Sequence, residues 1–137
     1  MKIKTDFVTN SSSTCFVVMR KGHITMDEFL DAVGVEANSR FKDIYEELYK
    51  LCLSEMTPLE KAVQSHRWYK GGSVENFIKE CFSAKTWDRI VKAEKSGFKV
   101  YMGELHSDET STECYFCTHA FVIESNNLII DATNAGW

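Results

Sequence analysis

Cys117-Thr-His119-Ala-Phe-Val-Ile-Glu-Ser-Asn-Asn-Leu-Ile-Ile-Asp131-Ala-Thr133 reads as two short strands joined by a turn. His119 to Glu124 and Leu128 to Ala132 are rich in β-branched and aromatic residues, and Ser125-Asn126-Asn127 between them is turn chemistry. The first strand opens on a histidine and the second carries an aspartate near its far end, so a hairpin folds the two toward each other. Parity decides whether they meet, because side chains alternate faces along a strand and directly opposed residues share one. A two-residue turn at Asn126-Asn127 opposes Val122 to Asp131 and sends His119 and Asp131 to opposite faces. A three-residue loop, Ser125 to Asn127, opposes Phe121 to Asp131 and makes His119 its diagonal neighbour, at roughly 7–8 Å. Asn127 suits the left-handed position such a loop needs. With an odd loop or a bulge, then, Asp131 can hold one ring nitrogen of His119 and leave the other as a base. That is the second half of a nucleophile–base–orienter triad.

The totals bound the rest. A chain of 137 residues makes one domain and buries about 68% of its unfolded surface. With 44% hydrophobic and 26% charged residues it has the composition of an ordinary soluble globule. One proline and 7 glycines leave little room for linkers. A net charge of −4 argues against nucleic acid as the main partner. Met1-Lys-Ile-Lys-Thr-Asp-Phe7 lacks the apolar run of a signal peptide, and no stretch reaches the roughly 20 apolar residues of a membrane span. Five cysteines, an odd number, read as reduced thiols and place the chain in the cytoplasm.

Along the chain, a polar run from Thr5 to Thr14 precedes the apolar Cys15-Phe-Val-Val-Met19, a loop followed by a buried strand. This start resembles the "TDFVTNSSSSSF" leader of many small bacterial and phage proteins, over about the first 17 residues. Thr14-Cys15 stand where that leader has serines, which keeps Cys15 as a rival nucleophile. Thr25-Met-Asp-Glu28 is a capping box opening a helix that Gly34 stops. Asn38 or Ser39 caps a second helix, whose apolar stripe is Phe41, Ile44, Tyr45, Leu48, Leu51 and Cys52. Thr57-Pro58-Leu59-Glu60 starts a third, predicted to run to about Trp68. Ser73 caps Val74 to Lys79; after Glu80-Cys81-Phe82-Ser83 the stripe Ala84, Trp87, Ile90, Val91 makes a further helix ended by Ser96-Gly97, with Cys81 near its start. Phe98 to Leu105 is a strand, and Glu104 to Thr112 an acidic, exposed loop.

A thiol near a helix N-terminus gains from the dipole and from unpaired N–H groups, which also serve as oxyanion donors. Cys81, read in that place, precedes one strand, then His119, then Asp131. The order resembles the papain-like and transglutaminase-like cysteine enzymes of small bacterial type. The matching pieces are Cys81-Phe82-Ser83-Ala84, Gly97-Phe98-Lys99-Val100-Tyr101-Met102-Gly103, His119-Ala120-Phe121-Val122 and Ile130-Asp131-Ala132-Thr133. Phe121 stands where the family more often has tryptophan, and the likeness covers residues 75 to 137. The resemblance implies a catalytic Cys81, a base in His119, an orienter in Asp131 and an acyl-thioester intermediate. It also implies an oxyanion donor shortly before the nucleophile, for which Asn76 is the nearest candidate.

Cys114-x-x-Cys117-x-His119 carries a rival reading as a zinc site, completed by Cys81, His106 or Asp108. A lone CxxC is weak metal spacing, and half-buried thiols at a strand start are the plainer reading. The sequence thus predicts one α+β domain over 1–137, divided into a leader loop and strand (1–22), a helical part (23–72), and a nucleophile helix with antiparallel sheet (73–137). The helical half packs on strands 98–104, 118–124 and 128–133, with Cys15–Met19 as an optional addition. The expected function is a cysteine-dependent hydrolase or acyltransferase without a cofactor, acting on a peptide, protein or small amide. The alternatives are a phage or mobile-element protein that binds a host protein or small ligand, and a zinc-stabilised interaction module.

Overall fold

The computed structural model describes residues 13–36, 38–54, 56–66, 69–106, 112 and 120–133. The strand β1 (Ser13–Arg20) holds its centre. Cys15-Phe-Val-Val-Met19 has no polar face to offer water, and all five residues are at most 3% exposed. An apolar run without alternation must be covered on both sides. Each such Val or Phe contributes about 1.5–3 kcal/mol by leaving water.

β1 pairs antiparallel with β3 (Lys99–His106) on one side and β5 (Leu128–Ala132) on the other. β2 (Thr57–Pro58) and β4 (Phe121–Glu124) complete a five-stranded sheet ordered β2-β3-β1-β5-β4. The α+β antiparallel class is as predicted, but the optional strand proves to be the central one. Without it, β3 and the C-terminal hairpin would not touch. Pro58 sits on the edge strand, where its missing N–H leaves no ladder bond broken.

Parity divides the sheet into two covered faces. Phe16 and Val18 meet Leu128, Ile130 and Ala132 under α1 (Met26–Val33) and α2 (Lys42–Ser54). Cys15, Val17 and Met19 meet Met102 under α3 (Leu59–Gln64), α4 (Val74–Cys81) and α5 (Ala84–Lys95). The helical layer expected on one side is therefore split over both. No helix among the described residues is long and apolar enough to cross a membrane.

The predicted caps form at Thr25 and Ser73, but not at Thr57, which lies in β2; α3 starts after Pro58 with no side-chain cap bond. Thr25 accepts from the Glu28 amide at 3.2 Å, and Gly34, at φ 78, ends α1 in the left-handed conformation that costs glycine least. Ser73 accepts from the Asn76 amide at 3.1 Å. Three boundaries differ from expectation. Phe41 precedes α2 and is 56% exposed rather than on its buried stripe. α3 stops at Gln64, and Ser65 beyond it donates its hydroxyl to the Lys61 carbonyl at 2.9 Å. Most consequentially, Phe82-Ser83 separates α4 from α5: Ser83 is extended and caps α5 through the Thr86 amide at 3.1 Å.

Candidate functional site

The break between α4 and α5 changes the position of Cys81. It is the last residue of α4, at the carbonyl end of that helix, not near the start of α5. Burial, then the neighbouring Glu80 carboxylate, raises its thiol pKa, opposite to what a nucleophile needs. Cys81 and Asn76 do line one cavity of about 440 Å³, with Tyr69, Lys70, Gly71, Phe77 and Glu80. Asp131 is not part of that lining.

Asp131 lies on the face beneath α5 and is 0% exposed. Its Oδ2 accepts from Thr86 Oγ1 at 2.8 Å and from Arg89 Nη1 at 2.8 Å. Its Oδ1 accepts from the Thr133 amide at 3.0 Å and the Thr133 hydroxyl at 2.6 Å. Both oxygens are committed, and the residue ties α5 to the end of β5. The hairpin takes the even register: Val122 opposes Asp131, and the Ser125 amide donates to the Leu128 carbonyl at 2.7 Å. The odd loop that would seat His119 beside Asp131 is not formed. His119 itself, with Cys114 and Cys117, lies outside the described residues.

A different cysteine meets a histidine. Cys15 on β1 stands directly opposite Glu104 on β3, so both side chains leave the same face of the sheet. His66 arrives from beyond α3, whose Leu59 and Val63 are buried on that face. Its amide donates to the Val63 carbonyl at 3.1 Å and its carbonyl accepts from Tyr69 at 2.9 Å. The ring rests edge-on against Phe77 of α4, with centroids 5.2 Å apart. These supports bring His66 Nε2 to 3.4 Å from Cys15 Sγ and 3.7 Å from Glu104 Oε2. The other carboxylate oxygen of Glu104 is 3.8 Å from His106 Nε2.

Accessibility rises in steps across the cluster. Cys15 is 3% exposed, the His66 side chain 7% and the Glu104 side chain 26%, so solvent reaches it from the carboxylate side. A thiol within reach of an imidazole can hand over its proton, and a carboxylate nearby favours the imidazolium that results.

Of these three, only Cys15 stood out in the sequence, as the rival nucleophile. The sequence names no partner for His66, and it places Glu104 where strand 98–104 meets the acidic loop 104–112. One signal was present: Met102, Glu104 and His106 alternate with Gly103 and Leu105, placing two polar groups on one face of a strand. No protein-family model matches the chain, nor does any curated protein or solved structure.

Proposed function

We propose that the protein is a cysteine-dependent hydrolase or acyltransferase acting on an amide or ester, with Cys15 as nucleophile and His66 as base. The observation that carries this reading is the 3.4 Å separation of Cys15 Sγ and His66 Nε2, inside hydrogen-bond reach for sulfur. His66 Nε2 takes the thiol proton, the sulfur adds to the carbonyl carbon, and the imidazolium returns the proton to the departing amine or alcohol. Water or an amine then attacks the thioester with His66 again as base. Glu104 supplies negative charge beside the cationic ring.

Iodoacetamide at neutral pH tests it. Native protein should label at Cys15 first, and His66→Gln should slow that labelling roughly 100-fold, the scale of a lost general base. A phenyl ester should leave one acyl group per chain on Cys15. Labelling of Cys15 that is indifferent to His66 would sink the proposal. The 3% exposure of Cys15 favours the second reading, a binding protein without turnover. In that case Cys15 labels slowly in every variant and no acyl adduct forms.

A further inference from the structure

In a proton relay the carboxylate belongs on the far ring nitrogen, holding the tautomer while the near nitrogen serves the thiol. Here Glu104 approaches the same Nε2 that faces Cys15. One ring nitrogen has one lone pair or one proton, so it makes a full bond to the sulfur or to the carboxylate and at most shares a weaker one between them. A cation between the three atoms would satisfy all of them together.

We propose that Cys15 Sγ, His66 Nε2 and a Glu104 carboxylate oxygen form a binding site for a zinc-class divalent ion. This deepens the preceding reading, since it engages the same thiol and would silence it. The ligand atoms of Cys15, His66 and Glu104 all lie within 4.8 Å of one another. With zinc–sulfur and zinc–nitrogen bonds of about 2.3 and 2.0 Å, neighbouring ligands of a tetrahedral site stand about 3.5 Å apart. The observed 3.4 Å between Sγ and Nε2 matches that edge, and the 3.7 Å between Nε2 and Oε2 is a few tenths longer than the nitrogen–oxygen edge of about 3.3 Å. A thiolate, an imidazole and a carboxylate make a set that zinc takes readily, and that magnesium and calcium, which seek oxygen, do not. The scaffold is already rigid: two ligands sit on paired central strands, and the third is held by α3 and Phe77. Binding replaces the S–H bond with an S–metal bond and releases one proton to solvent.

The test uses the full chain freed of metal with a chelator. Titration with zinc against a chromophoric competitor should show one equivalent bound. Cobalt in its place should give a thiolate-to-metal charge-transfer band. Cys15→Ser should abolish the band, and Glu104→Gln, which keeps the size of the side chain, should weaken zinc binding by roughly tenfold or more. A cobalt band that persists in Cys15→Ser, or is lost only in Cys114→Ser, overturns the proposal. Unchanged affinity in Glu104→Gln with the native circular dichroism spectrum overturns it too. Iodoacetamide labelling of Cys15 with and without zinc separates this site from the acyl-transfer reading. A thiol inert without metal in a chain that still binds zinc keeps the metal site and removes the enzyme. A reactive thiol that zinc neither binds nor protects does the reverse.

Discussion

Two polar clusters share one face of the sheet, and they are built on opposite principles. Around Asp131 every acceptor position is filled by a donor: two hydroxyls, an amide and a guanidinium hold a carboxylate that is wholly buried. Around His66 a sulfur and a carboxylate crowd one ring nitrogen at 3.4 and 3.7 Å. A buried charge that is fully bonded is costly to strip of a partner and has nothing left to offer a substrate. A cluster whose members want the same partner is where a proton or a metal ion can enter. The aspartate the sequence nominates for catalysis belongs to the first kind, and the cysteine it keeps as a rival belongs to the second.

The largest expected effect is at the pinned cluster. Asp131→Ala should cost about 3–5 kcal/mol in urea unfolding, because Arg89 and Thr86 lose a buried partner. Cys15 labelling in the surviving folded fraction should be unchanged. A loss below about 1 kcal/mol would erase the contrast between the two clusters. At the other cluster, His66→Gln should move stability far less than Asp131→Ala while it slows Cys15 labelling. If the two variants exchange these signatures, the roles assigned to the clusters are reversed.

The two other described thiols, Cys52 and Cys81, sharpen the comparison. Burial pushes the Cys52 thiol up to about 12, and burial with Glu80 raises Cys81. In both, the fold favours the neutral thiol, so the thiolate fraction at pH 8 falls below that of a free cysteine. Both should therefore alkylate slowly at pH 8 and accelerate only above the ordinary thiol range. For Cys52 the same sign gives a stability effect. The contribution is fully present below about pH 9 and is lost at about 1.4 kcal/mol per pH unit as pH rises toward 12. A Cys52→Val variant should show a shallower alkaline loss.

The smallest expected effect is at the helix caps. Ser83→Ala and Thr25→Ala should each cost about 1 kcal/mol. Ser83 Oγ also lies 3.3 Å from Thr86 Oγ1, which donates to Asp131. Ser83→Ala should accordingly be non-additive with Asp131→Ala, while Thr25→Ala adds to it independently.

Local chemistry was legible in the letters. The caps at Thr25 and Ser73, the stop at Gly34 and the hairpin at Asn126-Asn127 all depend on residues a few positions apart. The break before α5 was also written there, as Ser83 three positions before Thr86; what the letters misplaced is Cys81, read near the start of the second helix though it ends the first. What the letters withheld is non-local. Nothing in Cys15-Phe-Val-Val-Met19 says that it separates β3 from β5, and that separation seats Glu104 opposite Cys15. Nor does a histidine just past a six-residue helix announce the strand it will lean over. The hairpin's parity was posed by the sequence, and the structure takes the even register, with Val122 opposite Asp131.

The central position of β1 has a consequence for how the chain reaches this state. Its two neighbours in the ladder begin only at Lys99 and Leu128, so as the polypeptide emerges from a ribosome this strand must wait for most of the remaining synthesis before either edge is occupied. During that interval a stretch whose one charge is the terminal Arg20, with two open edges, is available to the wrong partner, including another nascent copy. Yield on expression should therefore depend on growth temperature and chaperone supply more steeply than the stability of the finished protein would indicate.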